Sequence, residues 1–209
     1  MYLHKTPFWL KSLFPTYIWH KQRTEKNIYL TFDDGPIPVV TDFVLKQLAI
    51  YNAKATFFCV GDNVKKNPAV FRSAVDEGHR VGNHTFNHLD GWKTRDSDYV
   101  DNILKCRESL NKHVSNQPLN LFRPPYGKIK KSQAKILNKE FEIVMWDVLS
   151  GDFDISLNKE NCLFKTIKAT NKGSIVIFHD SIKAEENLRF VLPSFLSHFT
   201  EAGYVFQSL

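Results

Sequence analysis

The sequence is short of cysteine. Cys59, Cys106 and Cys162 are three in 209 residues, odd in number and far apart. That excludes a disulfide framework and leaves reduced structural thiols, as in a reducing compartment. No apolar run is long enough to cross a bilayer. The stretch from Phe8 to Pro15 is apolar and aromatic, but it is short and broken by Lys11 and Pro15. It also lacks the long apolar core and small-residue cleavage site of a secretory signal. These absences together predict a cytoplasmic protein. There is no internal repeat and no low-complexity segment, so repeat arrays and linker-rich chains are set aside. No nucleic-acid-binding motif accompanies the net charge of +6.

What is there fits one folded domain. Hydrophobic residues make up 43% and charged residues 24%, ordinary values for a chain that buries a substantial core. Aromatic content is 13%, with seventeen Phe, which reads chiefly as core packing. Basic residues cluster from Lys5 to Lys26 and from Lys128 to Lys139. They read as solvated faces, or else as affinity for an anionic polymer or lipid headgroups. Residues 1–26 are expected to form an arm packed on a domain spanning 27–209. Trp9, Trp19 and the neighbouring lysines leave weak contact of this arm with a membrane surface as an alternative. Oligomeric state is not readable.

Apolar strand-like runs alternate with amphipathic helical patterns along the whole chain. Strands are predicted at Ile28–Phe32, Lys54–Val60, Arg80–Asn83, Leu119–Arg123, Phe141–Asp147, Ser174–His179 and Tyr204–Phe206. Helices are predicted at Pro38–Tyr51, Pro68–Glu77, Asp96–Val114, Ser132–Lys139, Leu157–Asn171 and Glu185–Glu201. Such alternation implies an α/β fold with a mostly parallel sheet and right-handed crossovers, closed into an irregular barrel.

The densest chemistry lies in Thr31-Phe32-Asp33-Asp34-Gly35-Pro36. Two adjacent carboxylates end an apolar strand and a Gly-Pro pair turns the chain. Adjacent carboxylates repel unless a cation or an arginine is near. Read alone, the segment is first of all an Asp-Asp-Gly surface turn. A second segment, His84-Thr85-Phe86-Asn87-His88, places two histidines four apart, as on one face of a helical turn. They are either surface histidines or a pair that shares one metal ion. One carboxylate and two histidines leave open coordination positions, the pattern of a catalytic site suited to zinc, cobalt, nickel or iron. Asp33, Asp34, His84, Arg123, Asp152 and His179 all fall at or just after predicted strand ends, where α/β barrels build their sites.

Five short motifs stand in order: Thr31 to Pro36, Asn83 to His88, Arg123-Pro124-Pro125-Tyr126-Gly127, Trp146 to Phe153, and Ile175 to Asp180. In this order they resemble the polysaccharide deacetylase (NodB homology) family, carbohydrate esterase family four, from about Asn27 to the C-terminus. The resemblance implies a distorted TIM-like (β/α) barrel. It implies a hydrolase that removes an acetyl group from an N-acetylated sugar in a glycan or glycoconjugate, using one divalent metal ion, zinc foremost.

The resemblance assigns roles residue by residue. Asp34, His84 and His88 hold the metal and Asp33 is the general base. Arg123 pairs with Asp33. Tyr126 lends its backbone N–H to the oxyanion hole, with the local geometry mattering more than the phenol. His179 is the general acid, hydrogen-bonded by Asp152. Trp92, Phe153, Ile177 and Phe178 are candidates for the substrate cleft, although strand alternation keeps Ile177 and Phe178 from both facing it. The fourth motif departs from the family, which carries Trp where Phe153 stands and is often acidic where Leu149 stands. Hydrolysis of a non-sugar linear amide is therefore an alternative, and a non-catalytic glycan-binding domain is a second.

Overall fold

A computed structural model describes residues 2–209. Eight strands form one parallel sheet: β1 (Asn27–Asp33), β2 (Thr56–Cys59), β3 (Arg80–Asn83), β4 (Leu121–Phe122), β5 (Glu142–Ile143), β6 (Val148–Leu149), β7 (Ile175–His179) and β8 (Val205–Gln207). The order across the sheet is β5-β4-β3-β2-β1-β7-β6, with β8 added beside β1. Helices cover the outside. They are α1 (Phe8–Leu13), α2 (Val40–Ile50), α3 (Gly61–Lys66), α4 (Pro68–Asp76), α5 (Asp96–Asn111), α6 (Lys131–Leu137), α7 (Lys159–Ala169) and α8 (Glu185–Glu201). This is the expected distorted α/β barrel.

The central strands are apolar on both faces because both faces are buried, as parallel sheets require. All four residues of β2 are buried, as are the last four of β1. Alternation sorts them between two cores. Phe32, Phe57 and Phe178 face the helices, where Phe178 stacks on Phe32 and meets Phe195 of α8 edge-on. Phe58, Leu121, Val144 and Ile175 face the barrel interior. Phe178 is wholly buried in the outer core and stands away from the cleft that Ile177 lines. The proposed contribution of Phe178 to substrate binding is therefore corrected.

The strand expected at Phe141–Asp147 is broken. β5 pairs with β4 through Ile143, and the chain then crosses to pair with β7 at Val148 and Leu149. One continuous segment thus joins the two ends of the sheet and closes the barrel. Its vacated backbone groups are taken up by the arm. Ile18 donates to the Ile143 carbonyl and accepts from Met145 N–H, while Thr6 donates to Asp147 and His4 accepts from Leu149. Periodicity reported burial correctly here but could not report a change of pairing partner.

Asp147 ties the arm down. Its buried carboxylate receives Lys5 at 2.7 Å, Arg23 at 3.0 Å, Lys11, and the Ser174 hydroxyl at 2.6 Å. Burial opposes its ionisation, but these donors outweigh it and hold the carboxyl below the usual range. Three basic residues of the arm thus converge on one buried carboxylate rather than projecting freely into solvent. α1, by contrast, buries none of its residues and leaves Phe8, Trp9 and Leu13 exposed. Among the described residues no helix is long and apolar enough to cross a membrane.

Candidate active site

Asp33 ends β1 inside the barrel, and its Cα register partner is His179, the last residue of β7. Opposite them Arg123 leaves β4 wholly buried. Its guanidinium donates to Asp33 Oδ1 at 2.7 Å, Thr31 Oγ1 at 2.8 Å, Met145 O at 3.0 Å and Val144 O at 3.3 Å, over the face of Phe58. A buried cation with this many acceptors is fixed in place, and it gives Asp33 a permanent counter-charge.

Asp34 turns away from Asp33 through a left-handed backbone, with φ of 85°. Its neighbour Gly35 has no room for a side chain, since a Cβ there would stand 1.9 Å from the Asp180 carboxylate. Asp180 accepts from Gly35 N–H at 3.0 Å and from Thr41 Oγ1 at 2.6 Å, and so holds the turn. Its partner is this turn and not His179.

His84 and His88 do not lie on a helical turn. The segment after β3 is a loop in which Thr85 and His88 take φ of 62° and 55°. Asn83 Oδ1 accepts from Thr85 N–H, and Asn102 Oδ1, on α5, accepts from Phe86 and Asn87 N–H. These side chains satisfy the backbone groups that a helix would have paired internally. The loop still directs both imidazoles inward, with ring centroids 5.1 Å apart.

Nε2 of His88 stands 3.1 Å and Nε2 of His84 3.7 Å from Asp34 Oδ1. That buried oxygen has no hydrogen-bond partner. All three ligand atoms lie within 4.8 Å of one another. The far nitrogens are already engaged, His84 Nδ1 with Arg123 O at 2.8 Å and His88 Nδ1 with Tyr126 Oη at 3.1 Å. Burial pushes His84 down to about 4, so it is neutral with an Nε2 lone pair facing Asp34. Burial opposes ionisation of Asp34, but His88, His179 and His84 outweigh it and hold the carboxyl below the usual range. An orphaned carboxylate oxygen facing two imidazole Nε2 atoms fits a divalent cation.

Beside Asp33, at the end of β7, His179 Nδ1 meets Asp152 Oδ1 at 2.8 Å. Burial disfavours the charged ring, but Asp152, with Asp34 and Asp33 further off, raises His179 to about 9. Ser150 Oγ also donates to Asp152 Oδ1, at 2.9 Å.

Asp33, Asp34, His84, His88 and His179 line one cleft of about 540 Å³, with Arg123 and Asp152 buried behind it. Phe153 and Ile177 line it, together with Trp146 and Leu149. Tyr126 stands at its mouth with φ of 60°, and its phenol reaches His88, so the phenol as well as the backbone geometry has a partner. Trp92 does not line the cleft. Its indole N–H donates to Ile129 O at 3.2 Å and the residue is 61% exposed, outside the cleft where it was expected. Tyr2, Ser181 and Lys183 line the cleft without having been expected to. Nothing local marks Tyr2, because only the fold brings it there.

Residues 20–140 match the polysaccharide deacetylase family. The chain is 35% identical to a peptidoglycan-N-acetylglucosamine deacetylase of Bacillus cereus, over 94% of this chain and 93% of that one. It is 31% identical to a chitooligosaccharide deacetylase of Azorhizobium caulinodans, over 78% of each. A solved peptidoglycan N-acetylglucosamine deacetylase, in complex with a naphthyl N-oxidanyl-benzamide, superposes with a TM-score of 0.89 at 29% identity, covering 98% of this chain and 95% of that one.

Proposed function

The chain belongs to the polysaccharide deacetylase family, and on that premise we propose that it is a divalent-metal-dependent hydrolase that removes the acetyl group from an N-acetylated amino sugar of a peptidoglycan- or chitin-type glycan. One observation carries the reading. The Asp33–Arg123 pair and the His179–Asp152 pair start from adjacent strand ends, beside the orphaned Asp34 oxygen and the two histidines.

Asp34, His84 and His88 would hold the metal, zinc foremost. When bound it supplies a Lewis acid beside the acetamide and lowers the pKa of water. The protein's own groups move the protons. Asp33, paired with and oriented by Arg123, takes a proton from the water that adds to the acetamide carbon. The Tyr126 backbone N–H faces the oxygen as it gains charge. The carbon–nitrogen bond then breaks, and His179 gives its proton to the departing amine. Acetate and the free amino sugar are the products. Asp152 keeps His179 protonated through neutrality.

The test is a substrate panel of N-acetylated chitooligosaccharides, peptidoglycan fragments and linear amides, assayed for acetate release after chelation and after adding back zinc. Zinc-dependent acetate release from a sugar substrate is expected. Turnover confined to the linear amides would overturn the sugar assignment, and glycan binding without turnover by zinc-loaded protein would overturn the enzyme.

A further inference from the structure

The N-terminal arm does more than seal the barrel. From Thr6 back to His4 it runs antiparallel to β6, with Lys5 opposite Val148 and Leu149 N–H donating to His4 O at 3.0 Å. Continuing in that direction brings Tyr2 level with Gly151, in the loop that presents Asp152 and Phe153. The contact is close. A Cβ at Gly151, whose φ is 79°, would stand 2.6 Å from the Tyr2 hydroxyl and 3.0 Å from its ring. The hydroxyl donates to Asp154 Oδ2 at 3.0 Å, and the ring lies 5.1 Å from that of Phe153, tilted by 52°. Phe153 in turn meets the His179 ring edge-on at 5.1 Å. Tyr2 and Phe153 both line the cleft.

We propose that Tyr2 is a substrate-contacting residue, whose ring extends that of Phe153 into one aromatic wall for the apolar face of an N-acetylated sugar, a role that rests on the deacetylase reading above. Phe153 alone offers a smaller platform than an indole and no donor. Tyr2 widens the platform, and its hydroxyl is anchored to the loop that carries it. A ring held at both ends loses little freedom when a sugar stacks on it. Because the wall is assembled from two distant parts of the chain, sugar preference depends on the arm as well as on the motifs.

The experiment uses the full chain loaded with zinc, with tetra-N-acetylchitotetraose as probe. Steady-state kinetics are measured for wild type, Tyr2→Ala and Tyr2→Phe. The dissociation constant of the probe is measured for each in a His179→Ala background. Tyr2→Ala is expected to raise KM and the dissociation constant about three- to tenfold, with a smaller change in kcat. Tyr2→Phe is expected to recover most of that affinity, since the ring carries the contact. Unchanged affinity in Tyr2→Ala, or a fall in kcat at constant affinity, overturns the proposal. Wild type that binds the probe without turning it over overturns the deacetylase reading alone, because the dissociation constants still decide Tyr2. Absence of both binding and turnover overturns both.

Discussion

Asp152 grips His179 twice. Its Oδ1 accepts from the ring Nδ1 at 2.8 Å and its Oδ2 accepts from the His179 backbone N–H at 2.7 Å. One buried carboxylate thus fixes both the position and the charge of the imidazole. With His179 raised to about 9, activity is expected to fall on the alkaline side as that proton is lost. A bound divalent ion neutralises the Asp33 and Asp34 contributions and brings the limb below that value. Asp152→Asn removes the larger negative neighbour, so the limb is expected to move further to lower pH. A pH–rate profile of folded, metal-loaded variant checks this, and an unmoved limb would remove Asp152 from the acid pair.

The metal set makes a separable prediction. His84→Ala and His88→Ala are each expected to lose bound metal and activity together, read by metal analysis of the purified variants. Tyr126→Phe is expected to retain its fold and weaken metal affinity about tenfold, because the phenol that orients His88 through Nδ1 is gone. Competition against a chelator of known affinity measures this. Full occupancy in both histidine variants would refute the ligand assignment.

The two adjacent carboxylates are expected to separate by phenotype. Asp33→Asn should lower kcat on the order of 10²–10⁴-fold with metal retained, since this residue faces Arg123 and is the base in the proposed mechanism. Asp34→Asn should lose metal first. Parallel assays of metal content and kcat decide it, and swapped phenotypes would reverse the assignments.

Asp147 carries a prediction on stability. Asp147→Asn leaves Lys5, Lys11 and Arg23 without their carboxylate and is expected to cost roughly 3 kcal/mol in urea unfolding. Its folded carboxyl lies below the usual range, so its contribution is present above about pH 4 and is lost as the pH falls through the folded value. Wild type should therefore lose more stability than Asp147→Asn between neutral pH and about pH 3. Equal losses would show that the three cations are not coupled to this carboxylate.

Much of the site was legible because its residues cluster in short segments at strand ends. Asp33, Asp34, His84, His88, Arg123, Asp152 and His179 converge within one cleft or directly behind it. The alternation of strands and helices gave the barrel, and Arg80–Asn83 and Glu185–Glu201 have the expected bounds. What escaped notice depends on distant partners. A run such as Phe141–Asp147 reports burial, not that its pairing passes from β4 to β7 midway. The spacing of His84 and His88 fits a helical turn as well as a loop with two left-handed residues. α3 is short and polar on its exposed face, so Gly61–Lys66 carries little periodic signal. The lysines of the arm looked like surface charge because nothing in their neighbourhood names Asp147 as their partner.

The strand order also dictates when the molecule can become itself. On the ribosome β2 follows β1 directly, but β7, the partner for the other edge of β1, and β8 on its flank emerge only after β3 to β6. Asp33 is therefore made long before His179, the neighbour with which it will work. The arm waits as well, since its docking groups at Ile143 to Leu149 and Ser174 follow far behind it. Until then Asp33 and Arg123 have no closed barrel to hold them. The nascent chain therefore carries β1 with an unpaired edge until β7 has followed it, and the Asp33–His179 pairing is a contact of long sequence separation.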